Sequence, residues 1–562
     1  MPVVLGINDG HNSGAAIVRD GRVLAALQEE RLRNIKNYSG SPTRAVEAVF
    51  NIAGIPPGEV DLIAVVSLNR VYAPLAEYPL RIRLFEKLSP FLHGHTFSKL
   101  YVKALHRFRS IKELNKVFEE LGIAGKELVF IEHHAAHAAL ANYQRSWKEE
   151  ALVLTLDGAG DGLCATVNIG RRDSVERIAS TTYYDSPGNA FYSEITGYLG
   201  MKRWEHEYKL MGLAPYGKPE RCIREMEKMI RVNPKRPLEF QNTLGACGTQ
   251  IQQKLKDMLP GKRFDDIAAA VQLHFERIVL KWVRNAISET DIHRIACVGG
   301  SFLNVKANKL IRELEEVDDA FFAPVSEDGG TPVGAALEAY YRFCELEGIK
   351  AERHALEDLY LGRSFNDEEI ALALKEKGWW EKAEFSEGIG GKISELLADG
   401  KIIARFDSRE EFGPRALGNR SILADPRDVR VIARINRAIK KRDFWMPFAS
   451  SILESRMHDY LENARPARYM IEAFDTTEKA EDIIAGLHPY DRTARPQTVN
   501  EWSPSYKKIL EGFQDLTGVG GVLNTSFNLH GFPIVGSPET AIDTFENSGL
   551  DGLAIGNYLV RK

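Results

Sequence analysis

Two histidines and two carboxylates have the residue types that bind a divalent transition metal. His133 and His137 lie four positions apart in an alanine-rich segment, which places them on one face of a helix. His134 and His137 are three apart, so the histidine pairing stays open, and histidines packed or solvated on a helix are the alternative interpretation. Asp157 ends an apolar stretch, and Asp328 precedes a helical segment. This donor set suits Fe(II), Mn(II) or Zn(II).

A second group of reactive residues lies in loops of the last third of the chain. These loops combine Arg or Lys with Gly, Pro, Ser or Asn, and forked guanidinium donors suit phosphate or carbamate oxygens. Taken singly, each basic residue is typical of a solvated surface. Together they predict one anion site, built from Glu411–Ser421, Ile439–Asp443, Thr493–Thr498 and Leu523–Asn528.

The elements that must position these groups include a repeat. Val3–Ile7 predicts a buried strand that leads through an Asp-Gly turn into a hairpin, and the pattern returns at Leu152–Leu156. The repeat aligns Asp9 with Asp157, Gly10 with Gly158 and Gly14 with Gly162. Two such halves resemble the actin, sugar-kinase and heat-shock ATPase superfamily, in which paired loops approach nucleotide phosphates. The alternative is that two hairpins look alike by chance.

A third glycine feature follows the predicted strand Arg294–Val298. Gly299 and Gly300 form a turn into a helical stretch from Lys306 to Glu316. A strand–Gly–Gly–helix turn suits contact with a nucleotide, with Asn304 as a polar reader. We therefore assign Gly299, Gly300 and Asn304 to nucleotide binding.

Composition narrows the class of protein. The 562 residues predict three to four compact units, and a net charge of −5 gives no general attraction to nucleic acid or to anionic membranes. The five cysteines are scattered without a CxxC pair, which argues against a disulfide framework or a zinc ribbon and fits a reducing cytoplasm. No apolar run approaches the ~20 residues of a membrane helix. We expect a cytoplasmic protein; the oligomeric state stays open.

Together the motifs resemble the NodU/CmcH-type O-carbamoyltransferases, over nearly the whole chain. The segments that carry the resemblance are Gly6–Ala16, Gln28–Arg31, Glu207–Gly217, Glu411–Asp425 and Asn524–Val535. The resemblance implies an α/β fold: a duplicated ATPase-like domain over 1–355, similar to the protein that completes tRNA threonylcarbamoylation, and an α+β YrdC-like domain over 356–562. Carbamoyl transfer would occur in the first domain and carbamoyl-adenylate formation in the second.

The resemblance also implies the chemistry. ATP and carbamoyl phosphate would be the co-substrates and would give carbamoyl-adenylate. A site with a divalent metal, Fe(II) in the first place and Mg²⁺ as a further option, would pass the carbamoyl group to a hydroxyl of a small natural-product acceptor. No nucleic acid or membrane partner is expected.

Roles for individual residues follow from the matching positions. His11 and Lys36 would lie near the adenylate phosphate and the transferring carbamoyl group, His11 as a base or as a phosphate ligand. Lys209 would contribute to cofactor binding. The metal ligands would be His133, His137, Asp157 and Asp328. The carbamoyl phosphate or carbamate site would contain Arg415, Lys440, Arg442, Arg495, Ser526 and Asn528.

Three positions depart from the family pattern. Met446 stands where a second arginine is usual, Arg492 replaces the usual glycine before Thr493, and Phe532 replaces a glutamate. These departures change the local loop contacts and the charge of the anion site that the family pattern implies.

Three other functions share parts of this pattern. The nearest is a tRNA threonylcarbamoyladenosine-type enzyme, which the balanced charge disfavours, although Arg81–Lys116 is locally basic. A hydrogenase-maturing carbamoyltransferase would carry zinc-finger cysteine pairs. A nucleotide-switched binding protein of the heat-shock ATPase type has no need of the arginine-rich loops. The acceptor stays unnamed, and we expect Val71–Lys116 to shape its cleft.

Overall fold

The computed structural model describes residues 2–68, 114–247 and 249–562. Two predictions fall largely outside these residues. They concern the basic residues from Arg83 to Lys112 and most of the segment Val71–Lys116, which we expect to shape the acceptor cleft. Among the helices in the described ranges, none combines the length and apolar character needed to cross a membrane.

The chain begins with a five-stranded sheet in the order β3-β2-β1-β4-β5. The first three strands are antiparallel neighbours, and β4 and β5 continue the sheet in parallel. The strands are β1 Val3–Asn8, β2 Gly14–Arg19, β3 Arg22–Gln28, β4 Leu62–Val66 and β5 Glu127–Ile131. Two helices precede β4, α1 Glu29–Arg33 and α2 Thr43–Ala53.

A second five-stranded sheet repeats this arrangement, with the order β12-β11-β6-β7-β8. Its strands are β6 Ala151–Gly160, β7 Leu163–Gly170, β8 Val175–Thr182, β11 Arg294–Val298 and β12 Asp319–Phe322. A separate two-stranded ribbon pairs β9 Ile230–Val232 with β10 Phe240–Asn242. Each large sheet has an antiparallel hairpin followed by two parallel strands, so the duplication predicted from the sequence is confirmed.

The second copy differs from prediction at one point. The sequence ends the repeated strand at Leu156, but β6 continues to Gly160 through a register shift between Leu156 and Gly160. Asp157 therefore lies inside an irregular part of the strand, where a bulge re-aims its side chain.

Helices of this part of the chain separate the two sheets and cover them. They are α3 His133–Gln144, α4 Glu194–Tyr198, α5 Glu207–Leu213, α6 Ile223–Glu227, α7 Thr249–Met258, α8 Phe264–Thr290, α9 Val305–Arg312 and α10 Thr331–Leu346. Helices α3 and α10 pack on each other. A Cβ on Gly334 would lie 1.9 Å from the Ala136 carbonyl oxygen, so only glycine permits this approach. The histidine helix and the segment before α10 are thereby brought together.

The last part of the chain forms a mixed eight-stranded sheet in the order β13-β20-β19-β14-β15-β18-β16-β17. The strands are β13 Ala383–Phe385, β14 Ile403–Phe406, β15 Arg420–Ala424, β16 Ala449–Leu453, β17 Gln497–Val499, β18 Gly521–Ser526, β19 Gly552–Ile555 and β20 Tyr558–Arg561. The helices are α11 Asp367–Glu376, α12 Gly390–Ala398, α13 Arg430–Ile435, α14 Met457–Tyr460, α15 Pro504–Thr517 and α16 Pro538–Glu546. The fold class is the predicted one, α/β with a duplicated first part and a mixed α+β second part. The division at residue 355 stays a prediction.

A buried ion pair joins the beginning of the chain to its last third. Arg31 Nη1 lies 3.1 Å from Glu410 Oε1, and the two side chains are only 2% and 0% exposed. Arg31 Nη2 also donates to the Gly413 carbonyl at 2.7 Å. Two motifs that carried the family resemblance are therefore in direct contact.

This joint gives a stability prediction. Glu410→Ala would leave the Arg31 guanidinium buried without its partner, and we expect the free energy of unfolding to fall by about 3–5 kcal/mol. Glu59→Ala removes an exposed pair with Arg19, 2.6 Å apart in the structure, and serves as the control with an expected loss below about 1 kcal/mol. Urea unfolding followed by tryptophan fluorescence measures both. Equal midpoints for the two variants would contradict the role of the joint.

Candidate metal and anion sites

Four side chains converge at the N-terminus of α3. The Nε2 atoms of His133 and His137 are 3.1 Å apart. Asp157 Oδ2 lies 3.4 Å from His133 Nε2, and Asp328 Oδ1 lies 3.5 Å and 3.6 Å from the Nε2 atoms of His133 and His137. One donor atom from each residue lies within 4.8 Å of all the others. The four residues assigned to the metal are the four that meet.

The spacing of these donors suits a single ion. Ligand atoms at ~2.0–2.2 Å from one ion stand about 3–3.6 Å from one another in tetrahedral or octahedral geometry. The closest separations in the cluster match that range. Two imidazoles with two carboxylates, almost fully buried, therefore fit a divalent transition metal.

His134 points away from the cluster of His133, His137, Asp157 and Asp328. His134 is fully buried, and its Nδ1 hydrogen-bonds Thr155 Oγ1 at 2.7 Å. Thr155 in turn bonds Thr166 Oγ1 at 2.7 Å, so His134 belongs to a polar network inside the second sheet. The pairing of His133 with His137 is the one that faces Asp157 and Asp328.

Hydrogen bonds fix the position of Asp157 and the start of helix α3. The Gly300 N–H donates to Asp157 Oδ1 at 2.9 Å, so the predicted glycine turn holds a carboxylate of the cluster. Asp161, in the hairpin turn after β6, accepts from the His133 N–H at 2.8 Å and from Ser67 Oγ at 2.7 Å. Asp161 therefore ties the N-terminus of the histidine helix to the end of β4.

Burial and charge set the protonation of these groups. Burial disfavours the imidazolium of His133, but Asp328 and Asp157 outweigh it and raise its pKa to about 9. Burial likewise disfavours the Asp157 carboxylate, but the neighbouring histidines bring its pKa well below the usual range. The burial of His134, together with the charges of the two ligand histidines, lowers its pKa well below the ordinary value. His134 is therefore neutral at physiological pH.

Basic side chains from distant loops form a second cluster. Burial lowers the pKa of Arg415 to about 10, with Arg442 adding to the effect and Glu327 opposing it. Burial and the charges of Arg415 and Arg442 lower the pKa of Arg495 well below its ordinary value. Nε of Arg415 and Nη1 of Arg495 are buried without hydrogen-bond partners among the described residues. Like charges held this close, with unpaired donors, are suited to a bound anion.

Lys440 forms the base of this cluster. Its side chain is only 2% exposed, and Nζ donates to Asn528 Oδ1 at 2.6 Å, to Ser526 Oγ at 3.1 Å and to the Ser526 carbonyl at 2.5 Å. Burial, with the charges of Arg442 and Lys36, lowers the pKa of Lys440 well below its usual range. Ser526 and Asn528 therefore lie beside Lys440, and Lys36 acts on it electrostatically; that these residues bind an anion stays a prediction.

The loop that carries Arg415 is organised by a buried carboxylate. Glu411 Oε1 accepts three backbone N–H groups, from Leu417 at 2.8 Å, Asn419 at 2.8 Å and Arg420 at 3.0 Å. These bonds close the loop around Arg415, which fixes where its guanidinium group is presented.

The two clusters are neighbours. Gly413 has a φ of 105°, and a Cβ there would lie 2.7 Å from Val325 Cγ2, so the arginine loop packs directly on the segment that leads to Asp328. Glu327, next to that metal-site carboxylate, acts electrostatically on Arg415. Burial raises the pKa of Glu327 to about 7, and Arg415 opposes the rise.

The remaining residues assigned from the sequence, His11, Lys209, Gly299 and Asn304, have the following local contacts. The Asn8 amide donates both to the His11 carbonyl at 2.8 Å and to the Asp328 carbonyl at 3.1 Å, so the His11 loop is tied to the metal cluster.

Lys209 pairs with Asp443 at 3.0 Å. Gly299 adopts a φ of 109°. Asn304 Oδ1 accepts from Ala307 N–H at 3.1 Å, which caps α9. Nucleotide contact by Lys209, Gly299, Gly300 and Asn304 stays a prediction.

The three departures from the family pattern have simple local settings. Met446 is buried, and its sulfur would be 3.4 Å from a Cβ on Gly212, so it packs rather than adding charge. Arg492 adopts a φ of 65°, the left-handed region that glycine enters without strain. The Phe532 side chain is largely exposed, and its carbonyl accepts from Asn528 Nδ2 at 2.7 Å.

Three carboxylates of the site were not singled out from the sequence: Asp161, Glu327 and Glu411. Asp161 lies between two turn glycines and looks like an ordinary hairpin residue. Glu327 directly precedes Asp328, and Glu411 begins the Glu411–Ser421 loop, but the sequence predicts no role for either side chain. The available signal was an acidic residue within two positions of a glycine in a loop, which is too common to identify a buried acceptor.

Comparison with known proteins identifies the family. Residues 3–337 match the family model described as Carbamoyltransferase N-terminus, and residues 394–562 match that described as Carbamoyltransferase C-terminus. The chain belongs to the carbamoyltransferase family. It is therefore an enzyme of the transferase class.

Full-length relatives agree with this assignment. Nodulation protein NolNO of Sinorhizobium fredii is 32% identical over 98% of this chain and 79% of the relative. An uncharacterised protein of Methanocaldococcus jannaschii is 32% identical over 100% of both chains. Among solved structures, HypF of T. kodakarensis covers 62% of this chain and 48% of its own at 14% identity, with a TM-score of 0.36. Because this TM-score is too low to support a fold assignment, we assign the fold from the strand orders of the sheets.

The metal cluster gives a prediction that separates the two histidine pairings. His137→Ala and Asp328→Ala each remove a direct ligand, and we expect metal affinity to fall by at least about 10–100-fold. His134→Ala removes a buried histidine of the same helix and should keep the wild-type metal content. Elemental analysis after reconstitution measures all three. Loss of metal in His134→Ala with retention in His137→Ala would reverse the assignment.

Proposed function

We propose that this transferase uses ATP and carbamoyl phosphate to form carbamoyl-adenylate, and then passes the carbamoyl group to a hydroxyl of a small-molecule acceptor. The observation that carries this proposal is the packing of the loop that carries Arg415 on the segment that leads to Asp328. The basic cluster is suited to phosphate oxygens and the cluster of histidines and carboxylates to a divalent metal, and the Gly413–Val325 contact holds them side by side.

Activation would use the basic cluster. Carbamoyl phosphate loses phosphate to water, the carbamate oxygen attacks the α-phosphorus of ATP, and pyrophosphate leaves. Carbamate is a poor electrophile because lone pairs on nitrogen and oxygen feed its carbon, so adenylation supplies the leaving group it lacks. Arg415, Arg442 and Arg495 would neutralise the oxygen charges through these steps, and Lys440 would hold the anion against Ser526 and Asn528.

Transfer would use the neighbouring cluster. The acceptor oxygen attacks the carbamoyl carbon, and AMP leaves with the former carbamate oxygen. A metal bound by His133, His137, Asp157 and Asp328 would act as a Lewis acid toward negative charge in this step. His11 lies on the loop tied to Asp328 and is the candidate to take the hydroxyl proton, with phosphate binding as its alternative role.

The activation half-reaction gives the first test. Arg415→Ala removes a charge-assisted contact worth about 1.5–3 kcal/mol, so we expect carbamoyl-phosphate-dependent pyrophosphate release to fall about 10–150-fold. Lys440→Met should behave similarly. Arg434→Ala is the matched control, because that arginine pairs with Asp551 at 3.0 Å on the exposed surface. Wild-type rates in both Arg415→Ala and Lys440→Met would refute the placement of activation here.

A crossed experiment tests the order of the two steps. Asp157→Asn keeps the size of the side chain but removes a negative ligand, so it should still release pyrophosphate and accumulate carbamoyl-adenylate. Given synthetic carbamoyl-adenylate and an acceptor, Asp157→Asn should yield little product while Arg415→Ala yields near wild-type amounts. With a hydroxylated acceptor of the natural-product class, chromatography measures the yield of carbamoylated product for both variants. If Arg415→Ala fails on pre-made carbamoyl-adenylate as badly as Asp157→Asn, transfer and activation do not use separate groups.

A further inference from the structure

Glu327 occupies the boundary between the two clusters. It directly precedes Asp328, and its carboxylate acts on Arg415 across the Val325 segment on which the arginine loop packs. Its Oε2 atom is buried and has no hydrogen-bond partner among the described residues. A buried acceptor left unpaired inside a protein is uncommon and points to a partner that arrives with a ligand.

A glycine allows the Gln28 side chain to pack closely beside Glu327. A Cβ at position 329 would lie 2.1 Å from Gln28 Nε2 and 3.3 Å from Glu327 Oε1. Any larger residue at 329 would therefore displace either the glutamine or the carboxylate. This arrangement leaves Glu327 at its position between the metal cluster and the arginines.

Charges of both signs act on Glu327. The cation among them is Arg415, which belongs to the cluster with Arg442 and Arg495, whereas Glu30 and Asp328 are carboxylates rich in hydrogen-bond acceptors. Carbamoyl phosphate is complementary to both groups, because its phosphate carries the negative charge and its amino group presents two N–H donors. A donor molecule seated with its phosphate on the arginines would therefore direct its amino end toward the acceptors.

We propose that Glu327 accepts a hydrogen bond from the amino group of the carbamoyl moiety, and that it is the residue that selects carbamoyl over acyl donors. This inference rests on the proposed function. An acetyl group has nearly the same shape but replaces the amino group by a methyl. It would bury the Glu327 oxygen against a group that cannot donate, and sites built around a hydrogen bond reject analogues that lack it.

The test uses two stable phosphonates that differ only in this group. Phosphonoacetamide carries the amino group of carbamoyl phosphate, and acetonylphosphonate carries a methyl in its place. Isothermal titration of the full-length, metal-loaded protein gives a dissociation constant for each. We expect the wild type to prefer phosphonoacetamide by about tenfold or more. Glu327→Ala should bring the ratio close to unity by weakening phosphonoacetamide alone, and Glu327→Gln, which keeps an acceptor oxygen, should restore most of it.

Controls separate selection from general damage. Arg415→Ala should weaken both phosphonates by a similar factor, and Glu338→Ala, at a carboxylate that pairs with Arg342 at 2.8 Å on α10, should change neither. Metal content and the unfolding midpoint are measured for each variant, and Glu327→Leu replaces the alanine variant if that one does not fold. An unchanged ratio in Glu327→Ala or Glu327→Leu, or a wild type that binds both phosphonates equally, overturns the role of Glu327 alone. A wild type that binds neither overturns the donor site of the proposed function, and this inference with it.

Discussion

The buried pair between Arg31 and Glu410 is the contact on which the arrangement of the two clusters depends. It joins the first α-helix to the loop before Arg415, and the bond from Arg31 to the Gly413 carbonyl fixes the same loop from a second side. A charge pair this deeply buried tolerates little change in geometry, because loss of either partner leaves an uncompensated charge away from water. The loop that presents Arg415 is therefore locked to the part of the chain that holds the cluster of histidines and aspartates.

Around this joint, the basic cluster and the cluster of histidines and aspartates are separate groups in neighbouring segments. The arginines repel one another, with Glu327 opposing this effect at Arg415, while the histidines and aspartates compensate one another within their own cluster. Glu327 lies where the two regions meet. An arrangement of this kind favours a ligand that has an anionic end and an uncharged donor end.

Much of this could be predicted from local sequence. The repeated Asp-Gly hairpin indicated the duplication, because the turn residues and buried strands follow rules that act over a few residues. The helical spacing indicated that His133 could pair with His137, but not that His134 would turn inward. That outcome depends on Thr155, which reaches His134 only when α3 packs on the second sheet. Likewise the glycine turn at Gly300 predicts contact with a nucleotide, but its spacing gives no indication that the Gly300 N–H group would also hold Asp157.

The sequence by itself determined the elements, the family and the residue types of both clusters, since periodicity, turn chemistry and ordered motifs are properties of neighbouring residues. Only the tertiary structure decided that the two clusters share a boundary. The contacts that create it, Arg31 with Glu410 and Gly413 with Val325, join positions that are 379 and 88 residues apart in the chain. Spacing along the chain carries no information about such separations, because loops of any length can close them at a small entropic cost. The role of Glu327 arises in the same way, from the loop that lies against it.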